Sequence, residues 1–233
     1  MEHPLLTRHQ HPARPQLEVL AGQMTLARGR VHELCGTARQ TLATQVAACT
    51  QGPVIWIAPG WETDRLHGAG ICQHIDPGRL ILCQPDRAED LLWCMEEALR
   101  AGAVMLVVCT LPALPGLTAI RRLHLAAETG GKEGKTLPLG LILTPDSGGA
   151  PGVESRWRLD ARHGPDQPDG DVRQVEGGSN WHLARLRART APPAHWDLTE
   201  SHDADGRIRL VPSMQPQTRA PKRATPPAHM QPL

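Results

Sequence analysis

Tyrosine and phenylalanine are absent from this 233-residue chain, and its aromatic side chains are six tryptophans. No physical requirement of a fold explains that bias. Long apolar runs are missing too. None approaches the ~18 residues of a membrane-spanning helix, so none is expected. The opening MEHPLLTRHQHPARPQ has no hydrophobic signal core, and the expected location is the cytoplasm. The cysteines, Cys35, Cys49, Cys72, Cys83, Cys94 and Cys109, form no C-x-x-C pair. Most lie in apolar strand or helix patterns, which reads as reduced, buried thiols. Neither charge sign is in excess. A formal net charge of +1 excludes a chain that is a polyelectrolyte throughout, although its C-terminal part is arginine-rich.

What is present is organised around Gly29 to Cys49, GRVHELCGTARQTLATQVAAC. It reads as a strand, a turn at Gly36 and a helix, the place where α/β proteins commonly hold a phosphate. The phosphate loop G-x-x-x-x-G-K-S/T works because its glycines let backbone N–H groups curl round the phosphates while lysine bridges the terminal ones. Here the turn is Gly36-Thr37-Ala38-Arg39-Gln40-Thr41, with no second glycine and no lysine. The candidate phosphate-binding residues are Gly36, Arg39 and Thr41. Arg39 supplies charge, but as a wide planar fork and not as a compact ammonium.

Taken in order, residues 1–16 read as a proline-broken flexible arm. Residues 17–211 read as one domain, and 212–233 as a proline-rich, mildly basic, disordered tail. Leu17 to Leu26 is expected to be a short helix. Strands are expected at Val31–Cys35, Val54–Ala58, Arg79–Cys83, Val104–Val108 and Leu139–Thr144. Helices are expected at Arg39–Cys49, Thr63–His74 and Leu117–Glu128, with another that Asp86 caps and Gly102 closes. Such alternation marks a parallel sheet with helices on its faces. Thr129–Pro138, TGGKEGKTLP, reads as a glycine- and lysine-rich loop. Ser155–Arg162 and His182–Arg189 alternate apolar and polar residues, as antiparallel strands of a hairpin do.

The ordered elements resemble the RecA-type ATPase core. More narrowly, "DPGRLILCQPDRAEDLLWCMEEALRAGAVMLVV", "AIRRLHLAAE", "SRWRLDAR" and "LRARTAPPAHWDL" are similar to the ImuA family, RecA-like proteins of bacterial mutagenesis cassettes that are sometimes labelled SulA-like. The resemblance spans roughly Gly29 to Leu198. It implies an α/β RecA-like core with late antiparallel strands, and a role in the SOS response to DNA damage, supporting error-prone translesion synthesis. It implies as partners an ImuB-type Y-family polymerase homologue, a translesion DNA polymerase and RecA itself, with single-stranded DNA as a further partner and no membrane.

Three catalytic parts of that core are altered here. The phosphate-loop lysine is missing. The strand that should end in a magnesium-binding aspartate runs instead into Cys109-Thr110. The expected water-activating glutamate is replaced by Ala58-Pro59-Gly60, with Glu62 nearby. The expectation is a protein without catalytic residues, resident metal or required cofactor, binding ATP weakly at most. Two alternatives stand beside it: a DNA-dependent ATPase using Arg39, Thr41 and Glu62, and a cell-division inhibitor.

Other constellations are weaker. His9 and His11 lack neighbouring ligands, and His67, Cys72 and His74 match no zinc spacing. Asp146-Ser147-Gly148-Gly149 lacks a nucleophile elbow and reads as a turn. Lys132 and Lys135 sit where the RecA core carries DNA-facing loops, and read either as phosphate contacts or as plain surface. Period two places Arg185, Arg187 and Arg189 on one strand face, as a basic stripe for DNA or an acidic partner or as a solvated face, with Arg156, Arg158 and Arg162 as candidate neighbours.

Overall fold

The computed structural model describes residues 14–62, 66–162 and 180–213. It is a mixed α/β fold around a nine-stranded sheet in the order β11-β10-β9-β8-β3-β7-β6-β4-β5. The parallel part comprises β3 (Val31–Cys35), β4 (Val54–Ile57), β5 (Leu80–Cys83), β6 (Leu106–Thr110), β7 (Leu139–Leu143) and β8 (Ser155–Arg162). The antiparallel extension comprises β9 (Asn180–Ala188), β10 (Ala194–His202) and β11 (Ile208–Pro212). β8 joins the two parts, parallel to β3 and antiparallel to β9. Ser155–Arg162 is thus antiparallel on one side only, a correction that its alternation could not supply.

The central strands are buried on both faces, so their residues alternate between two cores. Leu34, Trp56, Val108 and Leu141 face α1 (Arg39–Ala48) and α2 (Gly68–Cys72). Val31, Ile57, Val107 and Ile142 face α3 (Ala88–Ala101) and α4 (Leu117–Glu133).

Four expectations are corrected. Leu17–Leu26 is not a helix but most of a hairpin, β1 (Gln16–Val19) and β2 (Met24–Ala27), whose Leu26 and Met24 are buried in the first core. Thr63–His74 contains only the five-residue α2, and residues 63–65 lie outside the described part. Arg87, not Asp86, is the residue before α3, and no side chain caps that end. The expected loop at 129–138 is helical through Glu133. Its glycines serve close packing: a Cβ on Gly130 would lie 2.0 Å from the Leu99 carbonyl oxygen, so only glycine lets α4 approach the end of α3. The expected arm and tail fall almost entirely on residues 1–13 and 214–233, outside the described part.

Candidate functional site: the Gly36 turn and the ends of the parallel strands

The expected phosphate turn lies at the carboxyl end of β3, directly before α1. Gly36 has φ +90, which favours glycine. A Cβ there would meet the Leu159 carbonyl oxygen at 2.5 Å and Asp160 Oδ1 at 2.8 Å. The turn is pressed against β8.

The N–H groups of Gly36, Thr37 and Ala38 are already engaged. Gly36 N donates to the Asp146 carbonyl at 3.1 Å, and Ala38 N to the Leu159 carbonyl at 3.0 Å. Thr37 N donates to Asp160 Oδ1 at 3.0 Å, and the Thr37 hydroxyl to the same oxygen at 3.3 Å. A side-chain carboxylate therefore binds the turn just before the N-terminus of α1. Arg158 Nε holds the other carboxylate oxygen at 2.6 Å. Burial raises the Asp160 carboxyl, but the Thr37 N–H, the Arg158 guanidinium and the Thr37 hydroxyl outweigh it and hold the group below its ordinary value.

Arg39 turns back on the turn. Its Nη1 donates to the Gly36 carbonyl at 3.3 Å, while its Nε is buried without a hydrogen-bond partner among the described residues. Thr41 is half-buried, and its carbonyl accepts the Thr44 hydroxyl at 2.8 Å. Gly36, Arg39 and Thr41 are brought together, but around a turn whose first three N–H groups, those of Gly36, Thr37 and Ala38, bond within the protein.

Beside the turn, Glu33 on β3 is fully buried. Its Oε1 accepts from the Thr144 hydroxyl, Gly149 N and Ala150 N at 2.7, 2.8 and 3.1 Å, and Arg156 Nε donates to Oε2 at 2.5 Å. Each carboxylate oxygen is engaged, as burial of a charge demands. Ser147 accepts a hydrogen bond from Arg158 Nη1 at 3.3 Å. At the end of β6, burial pushes the Cys109 thiol far above its ordinary value, and the Thr110 hydroxyl is buried without a partner among the described residues. Glu62 is half-buried beyond β4. No group of three or more metal-ligating side chains occurs among the described residues. His67 precedes α2, exposed Cys72 donates to Ala69 O, and His74 contacts Gln45 and the Ile208 carbonyl. His9 and His11 lie outside the described residues.

The expected basic stripe is broken. Arg156 pairs with Arg187 but Trp157 pairs with Arg185, which leaves Leu186 as an extra, bulged residue. A bulge inverts the side-chain alternation across it. Arg185 therefore shares the Trp157 face, with its guanidinium 5.6 Å from the Trp157 ring and 5.3 Å from the Trp196 ring. Arg187 shares the opposite face with Arg156 and is exposed. Arg189 lies 3.5 Å from Glu154. The neighbouring arginines are likewise engaged, Arg156 with Glu33, Arg158 with Asp160 and Arg162 with Asp197. Lys132 and Lys135 are exposed at the end of α4 and just beyond it.

Asp160 and Glu33 were not singled out from the sequence. Each stands in a strand pattern, and only the pairing of β8 with β3 sets them at the turn.

No protein-family model matches the chain, and no curated protein does. Among solved structures, SulA from Pseudomonas aeruginosa is similar at 22% identity and a TM-score of 0.41, over 50% of this chain and 98% of that one. No helix among the described residues is long and apolar enough to cross a membrane.

Proposed function

We propose that this protein is a non-hydrolysing RecA-like accessory factor of the DNA-damage response, acting by docking partners in error-prone translesion synthesis. The observation that carries the non-hydrolysing part is the set of intramolecular acceptors on Gly36, Thr37 and Ala38. A triphosphate would have to displace the Asp160 carboxylate and two carbonyls, with no lysine to compensate. The damage-response role rests on the sequence resemblance to ImuA. Its partners on this reading are an ImuB-type polymerase homologue, RecA and a translesion polymerase in the cytoplasm. Exposed Lys132, Lys135 and Arg187 are the candidate contacts to them or to single-stranded DNA.

Two measurements test the proposal. Phosphate release from ATP, with and without single-stranded DNA, should stay at background. Steady release abolished by Thr41→Ala would replace it with the DNA-dependent ATPase reading. In cells, damage-induced mutagenesis should fall with Lys132→Glu/Lys135→Glu/Arg187→Glu and persist with Arg39→Ala. The reverse pattern would overturn the docking mechanism.

A further inference from the structure

At the opposite end of the parallel strands from the Gly36 turn, a cleft of about 810 Å³ opens under the β1–β2 hairpin. It is bordered by the residue before β3 (Arg30), the start of β8 (Ser155, Trp157) and the region around the end of β9 (Arg185, Arg189), with Arg14 on the hairpin side. Its floor is rigid and its hydrogen-bond directions are determined. His32 Nε2 must donate to the Ala27 carbonyl at 3.0 Å, so its Nδ1 accepts from the Ser155 hydroxyl at 2.7 Å, and Ser155 Oγ accepts from Trp157 Nε1 at 2.8 Å. That chain ties β2, β3 and β8 together with a neutral imidazole, held at about 4 by its burial.

The charge of the cleft is not balanced. Arg14, Arg30, Arg185 and Arg189 line it, while the acids that pair with them are Glu128 and Glu154. Among the described residues, four cations against two carboxylates leave a local excess of two positive charges. Arg185 is held over two indole rings and donates from Nε to the Pro192 carbonyl at 2.9 Å, with no carboxylate partner in the cleft among the described residues. Arg30 Nε is buried without a hydrogen-bond partner among the described residues, and the Glu154 oxygen at 3.7 Å is too far to be one. Burial together with the nearby Arg14 lowers the Arg30 guanidinium, although Glu128 and Glu154 oppose this. Guanidiniums from separate elements and an excess of two charges suit a phosphate group, which carries about −1.5 to −2 charges and several acceptor oxygens. The volume lies within the roughly 300–1,000 Å³ range of small-molecule sites, well beyond a bare ion.

We propose that this cleft is a binding site for a phosphomonoester, free or at the 5′ end of a nucleic-acid strand, with Arg30, Arg189 and Arg14 holding the phosphate. It is separate from the Gly36 turn and does not depend on the accessory role proposed above. The test is calorimetric titration of the full chain with 5′-AMP, adenosine and an oligothymidine with or without a 5′-phosphate. Saturable 1:1 binding of 5′-AMP but not adenosine is expected, weakened about tenfold or more by Arg189→Gln and by Arg30→Gln but unchanged by Arg121→Gln, an exposed arginine of α4 outside the cleft. Arg189 is exposed and weakly paired, so its variant should fold even if Arg30→Gln does not, and circular dichroism checks both. If the phosphorylated oligonucleotide binds more tightly than 5′-AMP, the natural source is a strand end; the reverse order assigns a free metabolite. No saturable binding of either phosphate probe, equal binding of the unphosphorylated oligonucleotide, or loss in Arg121→Gln with retention in Arg189→Gln would overturn the assignment.

Discussion

The carboxylate of Asp160 on β8 accepts the backbone N–H of Thr37 at 3.0 Å, and so closes the turn between β3 and α1. An anion from the protein's own sheet stands where this architecture commonly seats a ligand's. The contact also ties the joint of the sheet, β8, to the first helix.

Removing it should weaken the fold without creating an enzyme. Asp160→Ala leaves Thr37 N and Arg158 without their carboxylate, at a cost of about 1–3 kcal/mol. Urea unfolding checks the loss, and phosphate release from ATP should remain at background. An unchanged midpoint would show that the contact contributes nothing.

Gly36→Ala should cost more. The backbone there is left-handed at φ +90, and the new methyl would lie 2.5 Å from the Leu159 carbonyl oxygen. Strain and displacement of β8 together predict a loss of about 2–4 kcal/mol. Gly52→Ala is the control: Gly52 has φ +72, with nothing within 4 Å of the added carbon. Equal denaturation midpoints for the two variants would contradict the close approach of β8.

Stability should fall in two pH windows. The pKa of His32 is lowered to about 4 by burial, so the unfolded chain binds a proton near pH 6.5 that the folded chain refuses. Stability is therefore full above pH 6.5 and declines as pH falls toward 4, by on the order of 3 kcal/mol from this residue. His124, also lowered chiefly by burial, acts in the same direction. Asp160 is depressed, so its contribution is present above its unfolded value, near 3.9, and is lost as pH falls through the folded one. Urea midpoints measured from pH 7.5 to about 2 check both windows, and a flat profile from about 6.5 to 4.5 would contradict a buried neutral His32.

The thiols should react in two classes. Cys49 and Cys72 are exposed, which corrects the expectation of general burial, whereas Cys35 and Cys109 are buried. Burial pushes Cys35 to about 11 and Cys109 higher still. At pH 8 an aromatic disulfide reagent should modify Cys72 promptly and Cys49, whose thiol burial raises, more slowly in the folded protein, and Cys35 and Cys109 only after denaturation. Prompt modification of Cys109 would mean that β6 is not enclosed.

Gln45 should be one of the ties that hold the last strand, beside its pairing with β10. Gln45 on α1 accepts from Leu210 N at 3.2 Å and donates to the Ile208 carbonyl at 3.2 Å, bonding β11 along its backbone. Gln45→Ala should cost about 1–3 kcal/mol, chiefly through the Leu210 N–H that loses its acceptor. Hydrogen exchange at Leu210 should rise more than at Leu141 in β7. Equal protection at both would remove Gln45 from this role.

The alternation of apolar strands with helices was legible from Val31 to Thr144, because strands enclosed on both faces must be continuous apolar runs. The departure of the turn from the phosphate-loop pattern was legible as well, since a missing lysine and a missing second glycine are facts of the sequence. Leu17–Leu26 was misread because a short apolar run fits a buried hairpin as well as a helix, and Gly130 because its need for glycine comes from Leu99 on another helix.

The residue types at the turn and the two-core strand pattern were determined by the sequence alone. The tertiary structure decided what fills the turn and which arginines share a face. Asp160 is 123 residues from Thr37 along the chain, and no local periodicity measures that distance. Arg185 and Arg187 are separated by a bulge that exists only because β9 pairs with β8. Side-chain alternation follows from the backbone of one strand, but a bulge and a filled turn depend on the register between two.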